Sequence, residues 1–225
     1  MLFRSLKNFV TQVDNPNDKA AAAVREAVEI KPPLAKFSKE VKALGHLNIS
    51  PDRDGIYRSH LMLVDYGGQY FPSFATQLVA SYYNLRPTDE HVRLGGGITL
   101  GKATVPTDAS FQMLVNYNGP LGTFSYFSLS DVLNRKVQAG AFKDKIVIIG
   151  ITHLGLGEQV ATPIAARALP QPEVIANVVE NIIHQNFIQR PPWAGKLELA
   201  MVVLFGAVVS LLLPRLGAGD RKSVV

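Results

Sequence analysis

Asp52 and Asp54 flank Arg53 in the run Pro51-Asp52-Arg53-Asp54-Gly55, and the first chemistry such a pair suggests is cation binding. Paired carboxylates can offer oxygens to calcium, but the remaining acids of an EF-hand loop are absent. The same residues make strong turn chemistry: Pro presets φ, Asp caps locally and Gly accepts a positive φ. A solvated turn is the expectation here. A second candidate is Gly150-Ile151-Thr152-His153-Leu154-Gly155-Leu156-Gly157, which follows an apolar run. A glycine-bearing loop after a strand can cradle phosphate. This spacing fits neither GxGxxG nor GxxxxGK[ST], and Glu158 would repel an anion, so a plain connection at a sheet end is expected. Histidines stand at 46, 60, 91, 153 and 184 with no HxH, HxxxH or HExxH spacing. No metal site is expected from them. No GxSxG elbow supports a catalytic serine, and no cofactor is expected.

The elements that would position these residues are legible from periodicity. Asn17 is a plausible cap for a helix over Asp18–Ile30, stopped by Pro32-Pro33. Leu34, Phe37, Val41 and Leu44 recur at helical spacing, with Gly45 as the residue after the helix. His46–Ile49 reads as a short strand. Ile56–Tyr66 reads as a strand turning at Gly67-Gly68 into Gln69–Phe71. Ser73 can cap a helix with Phe74, Leu78 and Tyr82 on one face. His91–Leu94 and Ile98–Lys102 form a second candidate hairpin, and Phe111–Tyr117 another strand. Ser128-Leu129-Ser130-Asp131 resembles a capping box for a helix through Leu133. Lys145–Gly150 is a continuous β-branched run and predicts a strand buried on both faces. Glu173–Gln185 reads as a helix, with Val174, Asn177, Val178, Asn181 and Ile182 sharing its spacing. The expected fold class is α/β: a layered domain with a mixed sheet, hairpins and a buried central strand flanked by helices, followed by a transmembrane helix.

That last helix is the strongest single feature. Leu197–Leu213 is almost unbroken apolar sequence, roughly 25 Å long as a helix, close to the hydrocarbon thickness of a bilayer. Arg190-Pro191-Pro192-Trp193 precedes it, placing an aromatic at the interface. The alternative is a buried core helix. Arg215 fits a cytoplasmic end, although Arg190 and Lys196 lie on the other side. The implied organisation is a domain over residues 6–192 and a membrane span over 193–214.

The composition bounds the remaining classes. The chain has 225 residues, 47% hydrophobic and 18% charged, enough to bury a core. Cysteine is absent, which excludes disulfides and thiolate metal sites. Residues 1–30 hold no apolar signal region, so an export signal for an extracytoplasmic domain is expected upstream. Leu2–Ser5 and Asp220–Ser223 can be encoded by opposite strands of one sequencing-adapter sequence. Residues 1–5 and 220–225 therefore read as scars on a fragment. Discounting them lowers the net charge of +5 and weakens any case for a nucleic-acid partner. Aromatics do not interleave with basic runs either, so no nucleic acid is expected.

Several segments in order resemble the second type of CHASE domain, the cyclase- and histidine-kinase-associated sensory extracellular module of bacterial receptors. They are Gly45–Arg58, Val105-Pro106 leading to Leu114–Pro120, Phe127–Leu133, Lys145–Gly150, Gly155–Gly157 with Ala161-Thr162-Pro163, Glu173–Asn177, and Arg190–Trp193 with the apolar helix. The resemblance implies a domain outside the plasma membrane, held by one helix before it and three after. It implies an output domain in cis in the cytoplasm: an adenylate cyclase, a histidine or Ser/Thr kinase, or a diguanylate cyclase. This fragment would then lack catalysis, the first part of the sensor sheet and the output domain. Members often carry Arg at the position of Asn118 and His at that of Ile175.

The expected partners are the lipid bilayer, an unknown small-molecule or protein signal, the output domain and a second copy in a homodimer. The residues expected near a cavity are Asp52, Arg53, Asp54 and Arg58 on the first turn, Asn116 and Tyr117 at a strand end, and Thr152, Gly155, Gly157 and Thr162 on the long loop. Loops at strand ends are where open α/β sheets bind ligands; turn geometry and capping are the competing explanation. The alternative function is a membrane-anchored α/β hydrolase using the 150–163 loop.

Overall fold

The computed structural model of the protein describes residues 13–14, 24–38, 40–86, 89–93, 97–164, 167–189, 191 and 193–213. Two units divide the chain, Met1–Ile188 and Gln189–Val225. Among its described residues the first opens with β1 (Val13–Asp14), one helical turn α1 (Ala35–Ser38), and the strands β2 (Ser59–Leu61), β3 (Leu63–Tyr66) and β4 (Gln69–Pro72). Gly67 and Gly68 adopt φ of 61° and 76°, as a two-residue type I′ turn requires, and close the expected hairpin between β3 and β4. Helix α2 (Phe74–Tyr82) begins where the Ser73 hydroxyl accepts the Thr76 N–H.

β5 (Glu90–Arg93), β6 (Gly97–Leu100) and β7 (Ala103–Val105) form an antiparallel meander. β1 joins β5 in parallel, so this four-stranded sheet is mixed. β8 (Gln112–Leu114) pairs antiparallel with β2. Helix α3 (Leu129–Leu133) follows, and β9 (Gln159–Val160) pairs antiparallel with β10 (Leu169–Pro170) just before helix α4 (Gln171–His184). Ala75, Val79 and Ala80 of α2 share the core with Val174, Val178 and Ile182 of α4. Met62, Leu63, Leu100, Phe111 and Met113 of the strand segments complete it. The first unit is thus an α/β assembly of small sheets and helices.

The second unit contains helix α5, Ala194–Leu212. Its 19 residues correspond to about 28 Å, a bilayer's hydrocarbon width. None of it is buried.

Several sequence expectations change. The segment 24–30 is extended rather than helical: Asp65 N–H donates to Arg25 C=O and Ala27 N–H to Asp65 C=O, so the free edge of β3 takes it up. Asn17, residues 18–23 of the expected helix and the terminal scars lie outside the described residues. The stripe Leu34, Phe37, Val41 and Leu44 forms only the single turn α1, and Leu34 and Phe37 are exposed. An apolar stripe sustains a helix only when a surface covers it. Gly45 does not follow a helix; a Cβ there would sit 2.5 Å from the Phe74 backbone, so glycine permits a close approach. The buried face of α2 is Ala75, Thr76, Val79 and Ala80, with Tyr82 exposed. Ser128 starts α3 without a capping bond, because its hydroxyl pairs with Ser130.

The largest correction concerns Lys145–Gly150. No strand forms there: Ile146 and Ile148 pack toward the core, while Val147 and Ile149 are 52% and 80% exposed. The run alternates like a segment covered on one face only. Composition alone does not reveal that the second face lacks cover.

Candidate functional site

The 51–55 turn folds through its own backbone. Asp52 N–H donates to Ile56 C=O at 2.9 Å, Gly55 N–H to Asp52 C=O at 2.9 Å, and Gly55 takes φ of 79°. This geometry returns Arg58 beneath the turn. Its guanidinium meets Asp52 Oδ2 at 2.7 Å and both Asp54 oxygens at 3.0 and 2.7 Å. Those hydrogen bonds hold the Asp54 carboxyl down to about 2 and push the Arg58 guanidinium up. The pairs are half exposed, so water and salt screen them. Arg58 therefore occupies the two carboxylates that the sequence offered to a cation. Arg53 stands exposed at the tip.

Backbone bonds draw other expected residues to the base of this turn. Tyr57 N–H donates to Ala161 C=O at 2.8 Å, beside Thr162, and Val115 N–H donates to Arg58 C=O at 2.9 Å, beside Asn116. The Tyr117 hydroxyl donates to Tyr57 C=O at 2.9 Å, and burial pushes that phenol up. Thr162 is buried and its hydroxyl has no partner among the described residues. Asp52, Asp54, Arg58, Asn116, Tyr117 and Thr162 thus form one neighbourhood. Thr152, Gly155 and Gly157 belong to an exposed loop bonded to itself: Leu156 and Gly157 N–H donate to His153 C=O, and Gln159 Nε2 to Thr152 C=O. Gly155 serves that loop with φ of 86°.

The most organised polar feature was not singled out as a site in the sequence. Glu173, Asn177 and Asn181 recur every four residues on the buried face of α4 and are 3%, 1% and 0% exposed. Asn181 binds both the N–H and the C=O of Asn116, each at 2.8 Å. Asn177 Oδ1 accepts Asn118 N–H at 2.9 Å, while its Nδ2 donates to Glu173 C=O at 2.9 Å. Glu173 accepts Gly122 N–H at 3.1 Å and the Tyr126 hydroxyl at 2.6 Å. Burial and this carboxylate push the Tyr126 phenol up. The stripe fastens α4 along residues 116–126. Its signal was legible: three polar residues at helical spacing amid apolar ones.

At the far end of α4, Gln185 adopts a left-handed φ of 54°, and its Oε1 accepts Thr104 N–H at 3.3 Å. It borders a groove of about 740 Å³ with Tyr83, Leu85, Asp89, Lys102 and Ala103, large enough for a small organic ligand. Asn118 is exposed, and Ile175 is buried on α4.

Neither the curated proteins nor the solved structures contain a match to this chain. The family model described as the CHASE2 domain matches residues 2–212. A match of that extent, over a chain whose α/β unit precedes an apolar helix, means that the protein belongs to the CHASE2 family of extracellular sensory domains of receptors.

Proposed function

We propose that this chain is the sensing part of a bacterial transmembrane receptor. The α/β unit faces the outside of the plasma membrane, α5 crosses the bilayer, and a cyclase or kinase output domain follows in cis in the cytoplasm. The single observation that carries this reading is the polar stripe of α4. Glu173, Asn177 and Asn181 fix the register of that helix against residues 116–126. The chain then runs from His184 through a short connection into α5 at Ala194. A ligand that favours one seating of the stripe over another shifts α4, and the connection passes that shift toward the membrane.

We assign the ligand-responsive face to the neighbourhood of Arg58, Asn116, Tyr117 and Thr162, because it abuts the segment that the stripe holds. Thr152, Gly155 and Gly157 are turn-formers in this reading. Val147, Ile149, Leu154 and Leu156 are exposed apolar side chains, and in this reading they meet a second copy. The hydrolase alternative has little support: the one histidine of the 150–163 loop, His153, is bonded to the neighbouring Leu154 carbonyl at 2.7 Å.

The test is topological and uses the complete receptor in bacterial cells. This sequence has no cysteine, so once any cysteine outside it is replaced, single cysteines report cleanly. A membrane-impermeant maleimide is expected to label Thr123→Cys in intact cells and to label Arg215→Cys only after lysis. The reverse pattern would overturn the orientation, and labelling of both in intact cells would overturn the span.

A further inference from the structure

His46 and His60 come together at a small cavity of roughly 10 Å³, which also touches Asn48, Tyr57, Gln171 and Ile175. Such a void accommodates about one water molecule. Both Nε2 atoms are sealed from solvent and have no hydrogen-bond partner among the described residues. Their other nitrogens fix the tautomers. Asn48 N–H donates to His46 Nδ1 at 3.3 Å, so a neutral His46 carries its proton on Nε2. The Tyr57 hydroxyl lies 2.7 Å from His60 Nδ1 and has no other acceptor among the described residues. Burial holds that phenol in its protonated form, so it donates to Nδ1 and leaves His60 with its proton on Nε2. Two N–H donors therefore face one void, and neither presents the lone pair that a metal ion needs.

We propose that this void binds one water molecule, which accepts a hydrogen bond from each imidazole, and that the pair with its water is an acid-operated latch on the 45–49 segment. The segment is held by few other bonds: His46 N–H to Pro72 C=O, Phe74 N–H to His46 C=O, and Gln171 Nε2 to Leu47 C=O. The groups facing the imidazoles offer no counter-charge. Helix α2 contributes Phe74 and Ala75, and α4 contributes Gln171, Val174 and Ile175. Tyr57 is the titratable neighbour, and Tyr117 and Glu158 reach it only electrostatically. Asp52 and Asp54 are bound to Arg58. Burial, helped at His46 by His60, lowers the two rings from 6.5 to about 3 and about 4. Their neutral forms hold the latch fully above 6.5, and opening grows as pH falls from there toward the folded values. The latch stands apart from the sensor reading and does not depend on it.

The experiment uses the full chain in detergent micelles. Histidine nitrogen NMR is expected to show two Nε2–H imidazoles that exchange with water and stay neutral through pH 5.5. Either ring titrating near 6.5 in the folded protein would overturn the latch, and absence of a water contact would overturn the bound water. Hydrogen exchange, corrected for intrinsic rates, is expected to show opening of 45–49 rising roughly tenfold per histidine for each pH unit below 6.5. The variant carrying His46→Gln and His60→Gln keeps donors without the charge and is expected to show a flat profile. Equal acid opening in both proteins would overturn the proposal. Should that variant not fold, the wild-type NMR titration decides.

Discussion

Asn181 treats Asn116 as a strand would: its side-chain amide accepts the Asn116 N–H and donates to the Asn116 carbonyl, both at 2.8 Å. A helix side chain thereby completes the backbone bonding of a segment that leaves β8 without a strand partner. Asn181 is fully buried, so no water replaces it. Asn181→Ala leaves two part-buried backbone groups without their partner and is expected to cost roughly 1–3 kcal/mol in urea unfolding. A cost under about 0.5 kcal/mol would mean that the stripe does not hold α4.

Asp54 gives the Arg58 turn a pH dependence. Its folded carboxyl lies at about 2, below the ordinary 3.8, chiefly because Arg58 hydrogen-bonds it. A lowered acid stabilises the ionised fold, so the contribution is whole above 3.8 and is lost as pH falls through about 2. Arg58→Gln is expected to return the Asp54 titration toward 3.8 in a carboxyl NMR experiment. Salt at about 1 M, where the Debye length is about 3 Å, is expected to move the wild type in the same direction. An unchanged titration in Arg58→Gln would assign the shift to the turn backbone instead.

How much the sequence disclosed follows from what each signal measures. Gly67-Gly68, Ser73 and the 51–55 turn were legible because their chemistry is local: a positive φ, a cap and a loop bond are decided within four residues. The run 145–150 was misread because burial is a property of neighbours, and valine and isoleucine read alike on a covered and an uncovered face. Gly45 was read as a helix ender, whereas its reason is the backbone of Phe74, distant in sequence. The candidate site divided the same way. Asp52, Asp54 and Arg58 could be grouped by proximity along the chain. The stripe of Glu173, Asn177 and Asn181 acquires meaning only when residues 116–126 lie against it.

Ile148 and Ile149 test the uncovered run directly. Ile148 packs against the core, so Ile148→Lys is expected to destabilise by about 2 kcal/mol or more. Ile149 is exposed, so Ile149→Lys is expected to change stability by less than about 0.5 kcal/mol. If the apolar surface joins two copies, Ile149→Lys also weakens self-association in analytical ultracentrifugation. Equal destabilisation by both substitutions would show that the run is covered on both faces after all.

Helix α5 carries the membrane argument, and Val203 stands at its middle. In water an exposed valine exchanged for lysine on a helix changes little, under about 0.5 kcal/mol. At a bilayer centre the same lysine costs about 2.5–3.5 kcal/mol, because the ammonium must stay hydrated across the hydrocarbon. Gly195→Lys, at the helix end, lets the long side chain reach the headgroups and costs far less. Membrane fractions washed with carbonate are therefore expected to retain wild type and Gly195→Lys and to lose a substantial share of Val203→Lys. Equal retention of all three would place α5 at a protein surface rather than in lipid. The comparison isolates depth in the bilayer, since both substitutions add the same charge to the same exposed helix.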